Sequence, residues 1–137
     1  MSVSTVRASI GSTPYTVELE DNLGHRWLGD EPADVGGANA GPSPEHLLLG
    51  SLGTCTAVTL TMYARRKQWP LTGVRVELAV NPDGKPAAGT DIRRGIELLG
   101  ELDDAQRERL LQIANACPIH KLLTGEIRIA TALAAAS

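Results

Sequence analysis

Apolar and polar residues alternate with a period of two in several parts of the chain, as is typical of strands with one buried face. In residues 15–20 and 74–80 nearly every second residue is apolar. Stretches rich in glycine and proline, such as 81–91, separate these segments and predict turns. The pattern predicts strands near residues 3–6 and 15–20, and then at 25–28, 74–80, 92–99 and 126–133.

A different pattern begins after Ser43 and predicts a long helix that ends near residue 68. Ser43 is a suitable N-cap, and Pro44 suits the first helical position. Residues 47–62 are apolar or small on nearly every face, so we expect a buried central helix. Gly50 and Gly53 each cost up to ~1 kcal/mol of helix propensity. We interpret them as allowing close approach of another backbone, such as a second copy of this helix.

The last third of the chain predicts a second helix and then a short third one. Asp103 is the expected N-cap of a helix over residues 104–116, whose apolar positions include Leu110. Cys117 and Pro118 then suit the N-cap and first position of a short helix. Strands and helices in this order predict the α+β class.

Length and charge restrict the class of protein further. A chain of 137 residues suits one core, so we predict a single domain over residues 1–137. The Gly-, Ala- and Pro-rich stretch 30–42 is interpreted as an ordered crossing or site border, because neither side is long enough to fold alone. The net charge of −3, with no cluster that resembles a phosphate-binding stripe, argues against a nucleic-acid partner.

No segment has the pattern of a targeting sequence or a membrane span. The N-terminus lacks a basic start followed by an apolar stretch. The most apolar run, residues 47–58, is interrupted by small and polar residues and is shorter than the roughly 20 residues of a span. We therefore expect a cytoplasmic protein with no membrane partner. In that compartment thiols are kept reduced, so the two cysteines are expected to be free thiols, metal ligands or a transient catalytic pair.

The two cysteines, Cys55 and Cys117, are the main candidates for chemistry. Cys55 lies in the middle of the long helix among hydroxyl-bearing residues, where a small core residue is an equally good interpretation. Cys117 lies at a helix boundary, a position that stabilises a thiolate. They are 62 residues apart, and the sequence alone does not show that they meet.

His120 follows Cys117 by three residues and leaves two other kinds of site open. Cys-x-x-His is half of a zinc site, and Cys55 with His46 or His25 would have to supply the other half. A Cys–His nucleophile pair for acyl transfer is also possible, although no oxyanion-hole motif accompanies it. A helix-surface role for His120 is simpler than either.

Three stretches of this chain resemble the OsmC/Ohr family of osmotically inducible and organic hydroperoxide resistance proteins. They are PEHLL at 44–48, GTCT at 53–56 and ACPIH at 116–120. The ten-residue interval between Glu45 and Cys55 and the proline after Cys117 also agree with this family. The resemblance, which extends over about residues 15–133, implies an OsmC-like fold and an intertwined homodimer with two sites at its interface.

The resemblance also implies a reaction and a role for each site residue. Cys55 would be the peroxidatic thiolate that attacks an organic hydroperoxide, and Cys117 would resolve the sulfenic acid as a disulfide. An external dithiol, such as a lipoyl group, would reopen the disulfide, and no bound cofactor or metal is implied. Glu45 would orient a thiolate-stabilising arginine, for which Arg26 is our choice and Arg94 the alternative.

Two features distinguish this chain from the best-known hydroperoxidases. Thr56 follows the first cysteine where those proteins carry an aromatic residue, and YARRKQWP at 63–70 follows the long helix, as in a less characterised redox branch. Glu45 lies roughly 15 Å from Cys55 along one straight helix, so contact between them would require two copies. The leading alternative function is a non-catalytic thiol protein that binds a lipid-like or acyl ligand in the crevice.

Overall fold

The computed structural model describes residues 3–134 and has the predicted α+β class. The chain divides into two compact units. The first comprises Met1–Ser51 with Ala79–Arg93, and the second comprises Leu52–Leu78 with Arg94–Ser137. A single domain over residues 1–137 stays a prediction.

The first unit contains a three-stranded antiparallel sheet in the order β1-β2-β3. Its strands are β1 (Val6–Ile10), β2 (Val17–Asp21) and β3 (Arg26–Gly29). Leu19 of β2 pairs with Trp27 of β3. The strands predicted near residues 15–20 and 25–28 are confirmed, whereas the first strand lies at Val6–Ile10 and not at residues 3–6.

A single carboxylate organises the loop after β3. Asp30 is only 3% exposed and accepts a hydrogen bond from the Thr16 hydroxyl at 2.8 Å. The backbone N–H groups of Glu31, Ala38 and Ala40 also donate to it, at 2.7, 3.4 and 3.1 Å. Burial raises the pKa of Asp30, but these hydrogen bonds outweigh it and the pKa is lowered. The loop is an ordered crossing, as predicted.

The long helix α1 (Pro44–Lys67) begins where the sequence predicts. The Ser43 hydroxyl accepts from the His46 N–H at 3.3 Å, as an N-cap does. Arg65, Arg66 and Lys67 occupy the last turn, where cations are favoured.

Only one stripe of α1 is buried in the single chain. The stripe consists of residues four apart: Leu52, Thr56, Leu60 and Ala64. Val58 and Met62, on another face, are 47% and 58% exposed. The expectation of burial on nearly every face is therefore wrong for one chain, because its other elements cover only one side of the helix.

By length and composition alone, α1 could cross a membrane, with a mean hydropathy of 1.4 over its most apolar window. The sequence-based expectation that this segment is too short for a span is therefore not supported, because the whole helix has 24 residues. Core helices of soluble proteins pass the same test, so this is weak evidence for a membrane span. The buried stripe explains the apolar character of the second half of α1, since Leu60 and Ala64 form part of a hydrophobic core.

The second unit is built around that core. Strands β4 (Leu71–Val80) and β5 (Ile92–Gly100) form a two-stranded sheet. Helix α2 (Asp104–Ala114) adds Leu110 and Ala114, both fully buried, to Leu60 and Ala64 of α1. Asp103 caps α2 through a capping box with Gln106, as the sequence predicts.

The two glycines of α1, Gly50 and Gly53, have different surroundings. A Cβ on Gly53 would lie 3.0 Å from Leu78 Cδ1, so the missing side chain makes room for β4. A Cβ on Gly50 would meet nothing within 4 Å. Close approach of a second copy of the helix therefore stays a prediction, and only at Gly53 does the chain itself use the space.

The predicted closing strand at residues 126–133 is wrong for this chain, since that segment has no strand structure. Ile127, Ile129 and Leu133 are 53%, 84% and 100% exposed. Among the described residues the two sheets contain β1–β3 and β4–β5 only. A strand forms only where a neighbouring strand satisfies its backbone groups, and alternation in the sequence does not supply that neighbour.

Candidate thiol site

The structure places the sulfurs of Cys55 and Cys117 beside the same backbone turn, at residues 117–120. Cys55 lies in α1, and Cys117 is the N-cap of α3 (Pro118–Thr124), with Pro118 at its first position as predicted. The Ile119 N–H donates to Cys55 Sγ at 3.4 Å, and the His120 N–H donates to Cys117 Sγ at 3.3 Å. Because the two donors are neighbouring residues, the sulfurs lie beside each other. Both are free thiols.

The two sulfurs differ in their access to solvent. Cys117 is fully buried, whereas Cys55 is partly exposed. Cys55 Sγ also lies 4.0 Å from the Thr59 hydroxyl oxygen. A molecule that approaches from solvent therefore reaches Cys55 first.

Arg94 of β5 connects three other elements beside the cysteines. Its Nη1 donates to Thr56 Oγ1 of α1 at 3.0 Å. Its Nη2 donates to Asn115 Oδ1, at the C-cap of α2, at 3.0 Å, and is 3.1 Å from His120 Nδ1 of α3. Because an arginine is only a donor, His120 Nδ1 is the acceptor, and the imidazole is neutral with its proton on Nε2.

Thr56 is a fully buried polar residue between the helix and this arginine. Its hydroxyl donates to the Leu52 carbonyl oxygen at 2.7 Å and accepts from Arg94. Both bonds are satisfied inside the second unit, so a hydroxyl in the apolar stripe of α1 is not left without a partner.

The surroundings favour a thiolate at Cys117. Burial raises the pKa of the Cys117 thiol. The hydrogen bond from the His120 N–H, the neighbouring Cys55 and Thr56 side chains and the charge of Arg94 together outweigh burial, so the pKa is lowered. Burial and the Arg94 charge both lower the pKa of His120. We call Arg94 and its three acceptors, Thr56, Asn115 and His120, the Arg94 cluster. Because His120 is neutral, the positive charge of this cluster is that of Arg94.

Arg26 and Glu45, the other predicted site residues, belong to the first unit. The Arg26 side chain is 78% exposed and forms an ion pair with Glu20 at 3.5 Å. Glu45 is exposed in the first turn of α1. Their roles stay predictions.

The alternative of a zinc site is not supported by the described part of the chain, which contains no suitable set of ligands. Across residues 3–134, no group of three or more His, Cys, Asp or Glu side chains could hold a metal ion. His120 Nδ1 accepts from Arg94, His25 pairs with Asp21 at 2.7 Å, and His46 contacts Ser43 at 2.8 Å.

Comparison with known proteins agrees with this architecture. A family model described as OsmC-like protein matches residues 36–132, a range that includes both cysteines and the whole Arg94 cluster. The chain belongs to the OsmC-like family. The resemblance seen in the sequence motifs is confirmed. The matched range begins before Glu45 and ends within residues 126–133. A search of curated proteins gave no match.

Solved structures of OsmC-like proteins share the fold. An OsmC-like protein from Mycoplasma pneumoniae has a TM-score of 0.75 at 15% identity, over 90% of this chain and 89% of that one. The organic hydroperoxide resistance protein OsmC from Legionella pneumophila has a TM-score of 0.67 at 19% identity, over 91% of each chain. One from Elizabethkingia anophelis has a TM-score of 0.65 at 15% identity, over 91% and 90%. At these identities the likeness shows the fold alone.

Sequence reasoning missed Thr56 and Asn115 as partners in the site and kept Arg94 only as an alternative. A signal was present in β5. Alternation along this strand places Arg94 on the same face as Ile92 and Ile96, which is the more buried face. An arginine at an inward strand position requires hydrogen-bond acceptors, and Thr56, Asn115 and His120 supply them.

Proposed function

We propose that this chain is a thiol-dependent peroxidase that reduces organic hydroperoxides through Cys55 and Cys117, in defence against oxidative stress. One observation carries the proposal: two free thiols lie beside each other on one turn, one accessible and one buried. Membership of the OsmC-like family supports it, as do relatives named organic hydroperoxide resistance proteins.

The reaction assigns a separate step to each sulfur. The Cys55 thiolate attacks the terminal oxygen of the hydroperoxide, the O–O bond breaks, and the alkoxide that leaves takes a proton from solvent to become the alcohol. Cys55 becomes a sulfenic acid. The Cys117 thiolate then attacks that sulfur and displaces hydroxide, which leaves as water after protonation, to form a disulfide. An external dithiol, such as a lipoyl group, returns two electrons by thiol–disulfide exchange.

The difference between the two sulfurs supports this order. Cys55 is the partly exposed one, so it is the sulfur that a hydroperoxide can reach. Cys117 is fully buried, and its lowered pKa favours the thiolate that resolution needs. A thiolate is the reactive form of cysteine.

A homodimer forms part of the proposal. Val58 and Met62 are exposed and follow Cys55 by three and seven residues, so they lie on the same side of α1. A second copy that covers this face would bury apolar surface and border Cys55. Glu45 and Arg26 would act in that dimer, with Glu45 orienting the arginine beside the thiolate. The expected location is the cytoplasm, where dithiols keep both cysteines reduced.

The test measures consumption of cumene hydroperoxide, with dihydrolipoamide as reductant, and counts thiols before and after. Wild type is expected to turn over and Cys55→Ser to be inactive, because the attacking sulfur is gone. Cys117→Ser is expected to reduce at most one equivalent and then stop, because no disulfide forms.

The outcome for wild type decides between the two functions. If wild type keeps both thiols in excess hydroperoxide, the peroxidase proposal fails. The thiol protein that binds a lipid-like or acyl ligand without turnover then becomes the better explanation. Light scattering tests the dimer separately, and a monomer at working concentration would remove it.

A further inference from the structure

Arg94 contacts the sequence neighbours of both cysteines. Thr56, which accepts from Nη1, directly follows Cys55, and Asn115 and His120, which accept from Nη2, lie on either side of Cys117. One side chain thus joins the helix that carries the first cysteine to the segment that carries the second.

The geometry of the guanidinium suits this connection. Its planar arrangement of donors reaches acceptors in fixed and different directions, which a lysine ammonium on a flexible stem does not do. The three acceptors are a hydroxyl, an amide oxygen and a ring nitrogen, and none of them carries a charge that would neutralise Arg94. The positive charge of Arg94 is therefore not neutralised by these partners and can act on the neighbouring Cys117 thiol.

We propose that Arg94 is a positioning residue for the cysteine pair. It holds Thr56, Asn115 and His120 together, and so it fixes the turn on which Cys117 faces Cys55 and keeps a permanent positive charge beside Cys117. This inference rests on the proposed function and deepens it, because it assigns an arginine to the resolving sulfur.

The electrostatics of Cys117 agree with this role. The titratable or charged groups that face Cys117 are Cys55 from α1, Arg94 from β5 and His120 from α3. His120 has a lowered pKa and is neutral, and Cys55 contributes a hydrogen bond. Arg94 is then the one cation in that group of three. Its charge is among the causes that lower the pKa of the Cys117 thiol.

The first readout is the pH titration of Cys117, followed by the ultraviolet absorbance of its thiolate. It is made in a Cys55→Ser background so that only one thiol titrates. Replacement of Arg94 by Met in that background is expected to raise the Cys117 pKa and so to lower the thiolate-to-thiol ratio at a fixed pH. Arg94→Lys is expected to restore part of the shift, because the charge remains while the three simultaneous contacts do not.

The second readout is disulfide closure with both cysteines present, after one equivalent of cumene hydroperoxide. Arg94→Met is expected to slow closure at a pH below the Cys117 pKa, because a smaller fraction of Cys117 is then thiolate. The control is Arg93→Met. Arg93 is the preceding residue, is exposed and pairs with Asp83 outside the cluster, so neither readout is expected to move.

The two readouts separate this inference from the peroxidase proposal. An unchanged Cys117 titration in Arg94→Met, or an equal shift in Arg93→Met, overturns the role of Arg94 even if wild type consumes hydroperoxide. A raised Cys117 pKa supports the role even if wild type does not turn over. If Arg94→Met does not fold by circular dichroism, the titration of Arg94→Lys replaces it: a Cys117 pKa above that of the background supports the inference, and an unchanged pKa contradicts it.

Discussion

Two polar clusters, one in each unit and each containing one buried polar residue, are assembled in opposite ways. Asp30 receives its hydrogen bonds from residues no more than 14 positions away, and three of its four donors are backbone N–H groups. Arg94 reaches Thr56 across 38 positions and His120 across 26, and all of its partners are side chains. The first cluster shapes a loop, and the second joins separate elements beside the two free cysteines.

The two clusters are expected to tolerate different substitutions. Backbone donors remain when neighbouring side chains change, so the Asp30 loop depends on one carboxylate. The Arg94 cluster depends on the identity of every member, because each acceptor belongs to a different side chain. We therefore expect changes at Asp30 to affect stability alone, and changes in the Arg94 cluster to affect stability and thiol chemistry together.

The largest loss of stability is expected from Asp30→Ala. It leaves the N–H groups of Ala38 and Ala40 without their acceptor and removes the buried carboxylate on which four hydrogen bonds of the loop converge. The melting temperature should fall by several degrees, and hydrogen exchange at these two amides should accelerate. The Cys117 pKa should not change.

Asp34→Ala is the matched control for Asp30→Ala. Asp34 is an exposed carboxylate in the short 3-10 helix Ala33–Val35 of the same loop, so its removal should leave the melting temperature nearly unchanged. Equal effects of the two substitutions would remove the anchoring role of Asp30.

A smaller loss, with a chemical consequence, is expected from Thr56→Val. The substitution removes a buried acceptor of Arg94, which should cost about 1–3 kcal/mol in the free energy of unfolding. It should also raise the Cys117 pKa, because the Thr56 hydroxyl is among the groups that lower it. Urea unfolding and thiolate titration measure the two effects.

Thr61→Val isolates the contribution of Arg94 to this effect. The Thr61 hydroxyl donates to the Ala57 carbonyl oxygen at 2.8 Å, just as Thr56 donates to Leu52, but no contact with Arg94 accompanies it. Its removal should change stability less and leave the Cys117 pKa alone. A similar pKa shift in both variants would show that the comparison between the clusters is wrong.

The smallest effect is expected from His120 through pH. Its pKa is lowered in the folded state, so between the ordinary value of about 6.5 and the folded value only the unfolded chain takes up the proton. Stability should therefore fall as the pH drops through that window. Arg94→Met should bring the His120 pKa back toward its ordinary value and weaken this dependence. An NMR titration of the imidazole measures it, and a fully protonated His120 above pH 6.5 would contradict the assigned tautomer.

Local signals predicted much of the fold. The Ser43 and Asp103 caps and the proline after Cys117 each act over a few residues, and the structure has a helix start at each position. The strand predicted at 126–133 failed because pairing is not a local property. Burial of α1 was overestimated for the same reason: the sequence shows which residues are apolar, not which neighbours cover them.

The candidate site was predictable in part. The two cysteines could be named from the motifs. They are 62 residues apart, however, and they meet only because α3 packs beside α1. The Arg94 cluster requires that β5 be placed as well. Its one local signal was an arginine among the inward positions of a strand.

Thr56 lies in the same stripe of α1 as Leu52, Leu60 and Ala64, one turn from each neighbour. The residue that receives Arg94 is thus also a core residue. During evolution, this side of the site cannot diverge through a variable loop, because each change there is also a change to the core. On the opposite side of the helix, Val58 and Met62 are exposed in the single chain, so a substitution there leaves the packing of the stripe intact.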